Sequence, residues 1–105
     1  MSFTLIHNNN CSKSRACILL LKQNKVKFNI REYLKVPLSL EEINDIVKNI
    51  NGSKYDLLRG SEYTSSENEL VSIIFNNQKV LQRPIFFDGK EYIICRPPEK
   101  VLDYI

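Results

Sequence analysis

Phe3 and Leu5 alternate weakly with Thr4 and Ile6 up to His7, a short apolar stretch that reads as a buried strand. Asn8, Asn9 and Asn10 follow it, and their short amides compete with the backbone for hydrogen bonds, so a loop is expected there. Ser12 or Ser14 can then cap a helix running to about Asn24, because the apolar run Ala16 to Leu21 begins directly afterwards. Cys11 falls at the N-terminus of that helix. From Val26 to Tyr33, Val26, Phe28 and Ile30 alternate with Lys27, Asn29 and Arg31, the period of a half-buried strand. Strand, helix and strand of these lengths predict a β-α-β unit, its strands parallel and its crossover right-handed.

Ser39 to Glu42 has the form of a capping box, and Leu40, Ile43, Val47 and Ile50 recur at helical spacing until Gly52, so a helix is expected over about 40–50. Tyr55 to Gly60 reads as a short helical turn stopped by glycine, leaving Arg59 near a helix end or in a loop. Ser66 to Glu69 is a second capping box, opening a helix with Leu70, Val71, Ile74 and Phe75 inward. Ile85 to Asp88, Gly89, and Glu91 to Cys95 predict a hairpin, and Pro97, Pro98 and Glu99 open a last helix ending at Ile105. The order β-α-β, helices, β-β, α is that of an α/β chain with a thioredoxin-like fold. It predicts one domain over 1–105: a mixed four-stranded sheet with a helical insertion, about 36–80, between the β-α-β and β-β-α halves.

Composition narrows the class. With 105 residues, 43% of them hydrophobic, the chain can bury one core but not two. Its 15 basic and 12 acidic residues leave a charge of +3, scattered rather than blocked, which suits a local anion site and argues against nucleic-acid binding. The longest apolar run, Ala16 to Leu21, is far shorter than the roughly 18–20 residues of a membrane span. The start, Met1 to Asn10, has neither a basic cluster nor a long apolar segment, so no secretory leader and a cytoplasmic setting are expected. Cys11, Cys17 and Cys95 match no disulfide framework and are expected as thiols. With His7 the only histidine and no C-x-x-C pair, no metal site is expected.

A cysteine at a helix N-terminus meets unpaired N–H groups and the positive end of the helix dipole, which stabilise the reactive thiolate. Lys13 and Arg15 are expected to add positive potential. The competing reading of Cys11, a small apolar filler, fits a polar asparagine loop less well. Cys17 lies inside the apolar run and reads as core; Cys95 ends an apolar strand beside Arg96 and reads as structural, with a secondary redox role as the alternative. Ser14 stands where a dithiol enzyme has its second cysteine, so an adduct on Cys11 would be resolved by an outside thiol, most simply glutathione. Cys17 stands where a phosphatase loop would need arginine, which excludes that chemistry. Pro84 precedes a strand, where its missing N–H is tolerated and a cis bond can be accommodated. Arg83 and Arg96, at the ends of the late strands, could converge with Arg59 on one anion; for any one of them alone the ordinary reading is a solvated charge.

The run Ile6 to Arg15, containing His7, Asn8, Cys11, Ser14 and Arg15, resembles the H-N-P-x-C-x-x-S-R segment of glutaredoxin-dependent arsenate reductases. Leu57-Leu58-Arg59, Gln82-Arg83-Pro84-Ile85 and the stretch Cys95 to Asp103 resemble the family's other signatures, in the same order. The resemblance implies that Cys11 attacks the arsenic of arsenate while Arg59, Arg83 and Arg96 bind the oxyanion. His7 and Ser14 would help lower the cysteine pKa, and Pro84 would be a cis proline facing the nucleophile. It implies glutathione as co-substrate and glutaredoxin as protein partner, with no bound cofactor or metal; from the composition no membrane or nucleic-acid partner is expected, and the chain is expected as a monomer. Two departures are Asn9, where the family commonly has proline, and an end soon after Asp103, before the longer tail of many relatives. Two rival functions accompany the resemblance. One is a general glutathione-dependent thiol reductase; the other is a redox-sensing RNA polymerase-binding regulator, whose typical C-x-x-C is broken here by Ser14.

Overall fold

The computed structural model describes residues 2–60, 64 and 66–105; positions 61–63 and 65 of the expected helical insertion, and residue 1, lie outside the described residues. Strand β1 (Thr4–His7) leads through a turn into helix α1 (Ser12–Gln23) and back to strand β2 (Asn29–Glu32). β1 and β2 are parallel, with Leu5 opposite Ile30 and His7 opposite Glu32. Strand β3 (Ile85–Phe87) runs antiparallel to β1, and strand β4 (Tyr92–Ile94) antiparallel to β3, giving a mixed sheet of order β2-β1-β3-β4. Helices α2 (Leu40–Asn49) and α3 (Glu67–Asn76), each followed by a 3₁₀ turn, separate the halves. This is a thioredoxin-like arrangement.

Strand alternation sends Leu5 and Ile6 to opposite faces of the sheet, and both faces are covered. Leu5 packs with Phe86, Ile93, Cys17, Leu21 and Val101 in the layer that includes α1 and the C-terminal segment. Ile6 packs with Ile85, Tyr33, Ile43, Ile46 and Ile74 in the layer that includes α2 and α3. Side-chain bonds tie the second layer down. The Tyr92 hydroxyl donates to Asp45 of α2 at 2.6 Å, and the Gln78 amide bonds both the N–H and the carbonyl of Leu38 at 2.8 Å.

Several expectations from the pattern are corrected. The N-cap of α1 is Cys11 itself, not Ser12 or Ser14; the backbone stays extended through Cys11, and Ser14 lies fully buried inside the helix. β2 is shorter than the alternation suggested, and Ile30 is 47% exposed, because β2 is an edge strand with a partner on one side only. Phe75 is 45% exposed: the buried stripe of α3 is Leu70, Val71 and Ile74, and Phe75 falls off its edge. The last segment, Pro98–Tyr104, is a 3₁₀ helix.

The two capping boxes differ. At Ser39 both halves close: Ser39 accepts from the Glu42 N–H at 3.1 Å, and Glu42 accepts from the Ser39 N–H at 2.9 Å while also holding Arg31. At Ser66 only the first half closes, since the Glu69 carboxylate takes the Thr64 hydroxyl at 2.6 Å. Ser39→Ala is therefore expected to lower unfolding free energy by about 1 kcal/mol. Ser66→Ala should cost less, and urea denaturation of the two variants checks the order.

Candidate active site around Cys11

The site begins where β1 ends. Ligand chemistry in open α/β sheets gathers at the carboxyl ends of the parallel strands, and here β1 delivers Asn8 to Asn10 and then Cys11. The turn is held by four bonds. The Cys11 N–H donates to the Asn8 carbonyl at 3.0 Å, the Asn10 N–H to Asn8 Oδ1 at 3.0 Å, the Asn8 N–H to Ser14 Oγ at 3.4 Å, and Arg15 Nη1 to the Asn9 carbonyl at 2.8 Å. With the turn fixed, the Arg15 N–H reaches the Cys11 carbonyl at 3.0 Å and the helix starts.

Cys11 is half-buried, and burial by itself pushes its thiol up. The Ser14 N–H, the Arg83 guanidinium and the Lys13 N–H outweigh that effect and bring it down to about 7. These are the free donors of a first helical turn plus one cation. The expected sources of positive charge are thus corrected: Lys13 acts through its backbone, and Arg15 is turned to the Asn9 carbonyl. Ser14, too, reaches the sulfur through its N–H, while its hydroxyl braces the turn.

Arg83 comes from the other half of the chain. It follows the 3₁₀ turn Gln78–Val80, joins Pro84 through a cis peptide bond, and precedes β3. Pro84 is buried, and its carbonyl accepts the Cys95 N–H at 3.0 Å. The Arg96–Pro97 bond is cis as well. Arg59 is carried to the same region by a short antiparallel ladder: the Gln82 N–H donates to the Leu57 carbonyl at 2.7 Å, and the Arg59 N–H to the Val80 carbonyl at 2.9 Å. Arg59 itself is exposed. Arg96 Nη1 donates to the Arg83 carbonyl at 2.9 Å, and its side chain lines a cleft of about 420 Å³ with Gln82, Lys100, Asn51 and Ser53. The structure therefore brings Arg83 to the sulfur, ties Arg96 to the Arg83 backbone, and sets Arg59 beside the strand that leads to Arg83.

His7 is buried, and burial lowers its pKa despite the hydrogen bond to Asn9 Oδ1 at 3.5 Å and the nearby Glu32, so the ring is neutral at pH 7. The contacts that shift Cys11 do not include His7. Tyr33, named from the sequence only as the end of a strand, sits one residue past the His7–Glu32 pair. It is fully buried, and its hydroxyl interacts with Arg83, Arg59 and Cys11. The sequence signal for it was faint: a tyrosine closing the second of two parallel strands. Cys17 and Cys95 are both 0% exposed; the hydrogen bond with Cys17 and burial push the Cys95 thiol far up.

Among the described residues no group of His, Cys, Asp and Glu could hold a metal ion, and no helix is long and apolar enough to cross a membrane. What the arrangement can do is present an anionic sulfur next to a guanidinium, the equipment for nucleophilic attack on a centre that carries negative oxygens.

Sheet order and helical layer together mark a thioredoxin-like protein, with Cys11 at the N-terminus of its first helix. The chain belongs to the ArsC family, whose model matches residues 6–104. An arsenate reductase of Haemophilus influenzae is 30% identical over 116 residues, covering all of both chains. The uncharacterized protein YfgD of Escherichia coli K12 is 32% identical over 112 residues, covering 96% of this chain and 94% of its own. The solved structure of an arsenate reductase from Vibrio cholerae superposes with a TM-score of 0.88 at 27% identity, covering 100% of this chain and 98% of that one.

The thiols are expected to differ sharply in reactivity. Iodoacetamide should modify one thiol per native chain, at Cys11, and three after unfolding. Because thiolate is the attacking form, the native rate should rise with pH through a midpoint near 7 rather than near 9. Arg83→Gln should move that midpoint upward. Stopped-flow alkylation with mass mapping checks all three.

Proposed function

We propose that this protein reduces arsenate to arsenite with glutathione and glutaredoxin as the source of electrons, working as a monomer in the cytoplasm. The observation that carries the reading is the Cys11 thiol, brought to about 7 by the Ser14 and Lys13 N–H groups and Arg83. Membership of a family that includes arsenate reductases supports it.

In this mechanism the Cys11 thiolate attacks arsenic, and one arsenate oxygen leaves as water after taking up two protons. Arg83 stabilises the charge on the remaining oxygens, with Arg59 and Arg96 as its companions around the anion. The glutathione thiolate then displaces a second oxygen, which leaves as water, and forms its own As–S bond. A glutaredoxin thiolate attacks that glutathione sulfur: the S–S bond of a mixed disulfide forms as the As–S bond breaks, and the electron pair stays on arsenic, which falls from the +5 to the +3 state. Water then replaces the Cys11 sulfur on arsenic, releasing arsenite and restoring the Cys11 thiolate. Neutral His7 and buried Ser14 serve the loop that presents the sulfur, and Pro84 fixes the approach of Arg83. Each step uses thiols and guanidinium groups, with no resident metal or nucleotide.

In a glutaredoxin-coupled assay, Cys11→Ser is expected to abolish arsenate reduction. Arg83→Ala should lower kcat/KM for arsenate from several-fold up to about a thousand-fold, the range for losing an anion-stabilising donor. A wild-type protein that reduces glutathione mixed disulfides but not arsenate would instead make it a general thiol reductase. Activity surviving in Cys11→Ser would remove the proposed nucleophile.

A further inference from the structure

Two buried polar atoms near Cys11 lack a well-formed hydrogen bond in the folded chain. Tyr33 is fully buried, and the Arg83 guanidinium approaches its hydroxyl without reaching the geometry of a hydrogen bond. Arg83 Nε is buried and unpartnered as well. A tyrosine retained only for packing would be expected to use its hydroxyl or bring it to solvent, because an unmade hydrogen bond in the interior is destabilising. Phenylalanine would fill the same space against Ile6, Leu57 and Ile85 without that penalty.

The two orphans are complementary to one kind of partner. Arg83 Nε–H can only donate, and a phenol in this setting is also a donor, since burial keeps it protonated. Two convergent donors, with Arg59 adding positive potential and the Cys11 sulfur alongside, call for a group with several acceptor oxygens and negative charge. The fold explains how the hydroxyl comes to be there. His7 pairs with Glu32 at the carboxyl ends of β1 and β2; the chain after His7 carries Cys11, and the first residue after Glu32 is Tyr33. Cys11 and Arg83 are both half-exposed, so an anion can approach from the side of the sulfur, with the buried Tyr33 behind it.

We propose that the Tyr33 hydroxyl is a ligand of the tetrahedral oxyanion, donating a hydrogen bond to one of its oxygens while Arg83 holds others beside Cys11. This rests on the oxyanion reading of the site given above, and adds to it an uncharged donor.

Tyr33→Phe removes one oxygen and keeps the ring. Inorganic arsenate and sulfate serve as probes, with protection of Cys11 from iodoacetamide and thermal unfolding as readouts. Without anion, Tyr33→Phe is expected to melt at or above the wild-type temperature and to react with iodoacetamide at the wild-type rate. With anion, the concentration giving half-protection, and KM for arsenate, should rise about ten- to hundred-fold, the loss of one hydrogen bond to a charged group. Equal protection of both proteins would overturn the role of Tyr33 and leave the arsenate reading standing. Absence of protection in the wild type would overturn both, since no anion pocket would then exist.

Discussion

Negative charge on one sulfur atom governs the chemistry open to this fold, and that charge is held by three donors from two parts of the chain. Two are main-chain N–H groups of the first turn of α1, at Lys13 and Ser14; the third is the guanidinium of Arg83, more than seventy positions away in sequence. The arrangement works because it is paid for locally: a half-buried thiolate in contact with free helix N–H groups exchanges water for fixed donors. Move the start of α1 by one residue and those N–H groups no longer face the sulfur. The asparagine turn prevents this. It holds the backbone extended through Cys11 and lets the helix begin only at Ser12.

The remainder of the chain serves to carry Arg83 to that turn. β1 lies between β2 and β3, so a segment entering β3 runs antiparallel beside the strand that ends at His7. The helical layer does more than cover the sheet. Its short ladder between 57–59 and 80–82 fastens the arm bearing Arg59 to the approach of Arg83, and the Arg96 side chain grips the Arg83 carbonyl from the far side. Arg59 and Arg96 are thereby fastened to the segment that carries Arg83, the first through main-chain hydrogen bonds and the second through its side chain, which limits the conformational freedom of all three.

The same layering separates the three thiols. Cys17 and Cys95 are sealed in the layer under α1, out of reach of solvent, and the Cys17 hydrogen bond together with burial pushes the Cys95 thiol up, while Cys11 stands at the rim where N–H groups favour a thiolate. With serine at the third position after Cys11 and the other two thiols buried, this ArsC-family chain exposes one sulfur and places no second thiol beside it among the described residues.

Local interactions were legible in the sequence because they act between neighbours in the chain. Alternation and helical spacing gave the strands, the helices and their order; the asparagine tract before an apolar run gave the turn; and a cysteine at that junction is a local motif with a local electrostatic cause. Where neighbours across space decide, the pattern fell short. Ile30 is exposed because β2 has one partner, Phe75 because the stripe of α3 is three residues wide, and Glu69 leaves its capping box because Thr64 competes for it. Lys13 and Arg15 are near Cys11 in sequence, yet the cation that acts on its sulfur is Arg83, since side-chain direction and strand order, not separation along the chain, determine which charges meet. Tyr33 illustrates the same limit: its residue type and position were readable, but a buried hydroxyl without a well-formed hydrogen bond beside a guanidinium exists only after the sheet has brought the ends of β1 and β2 together.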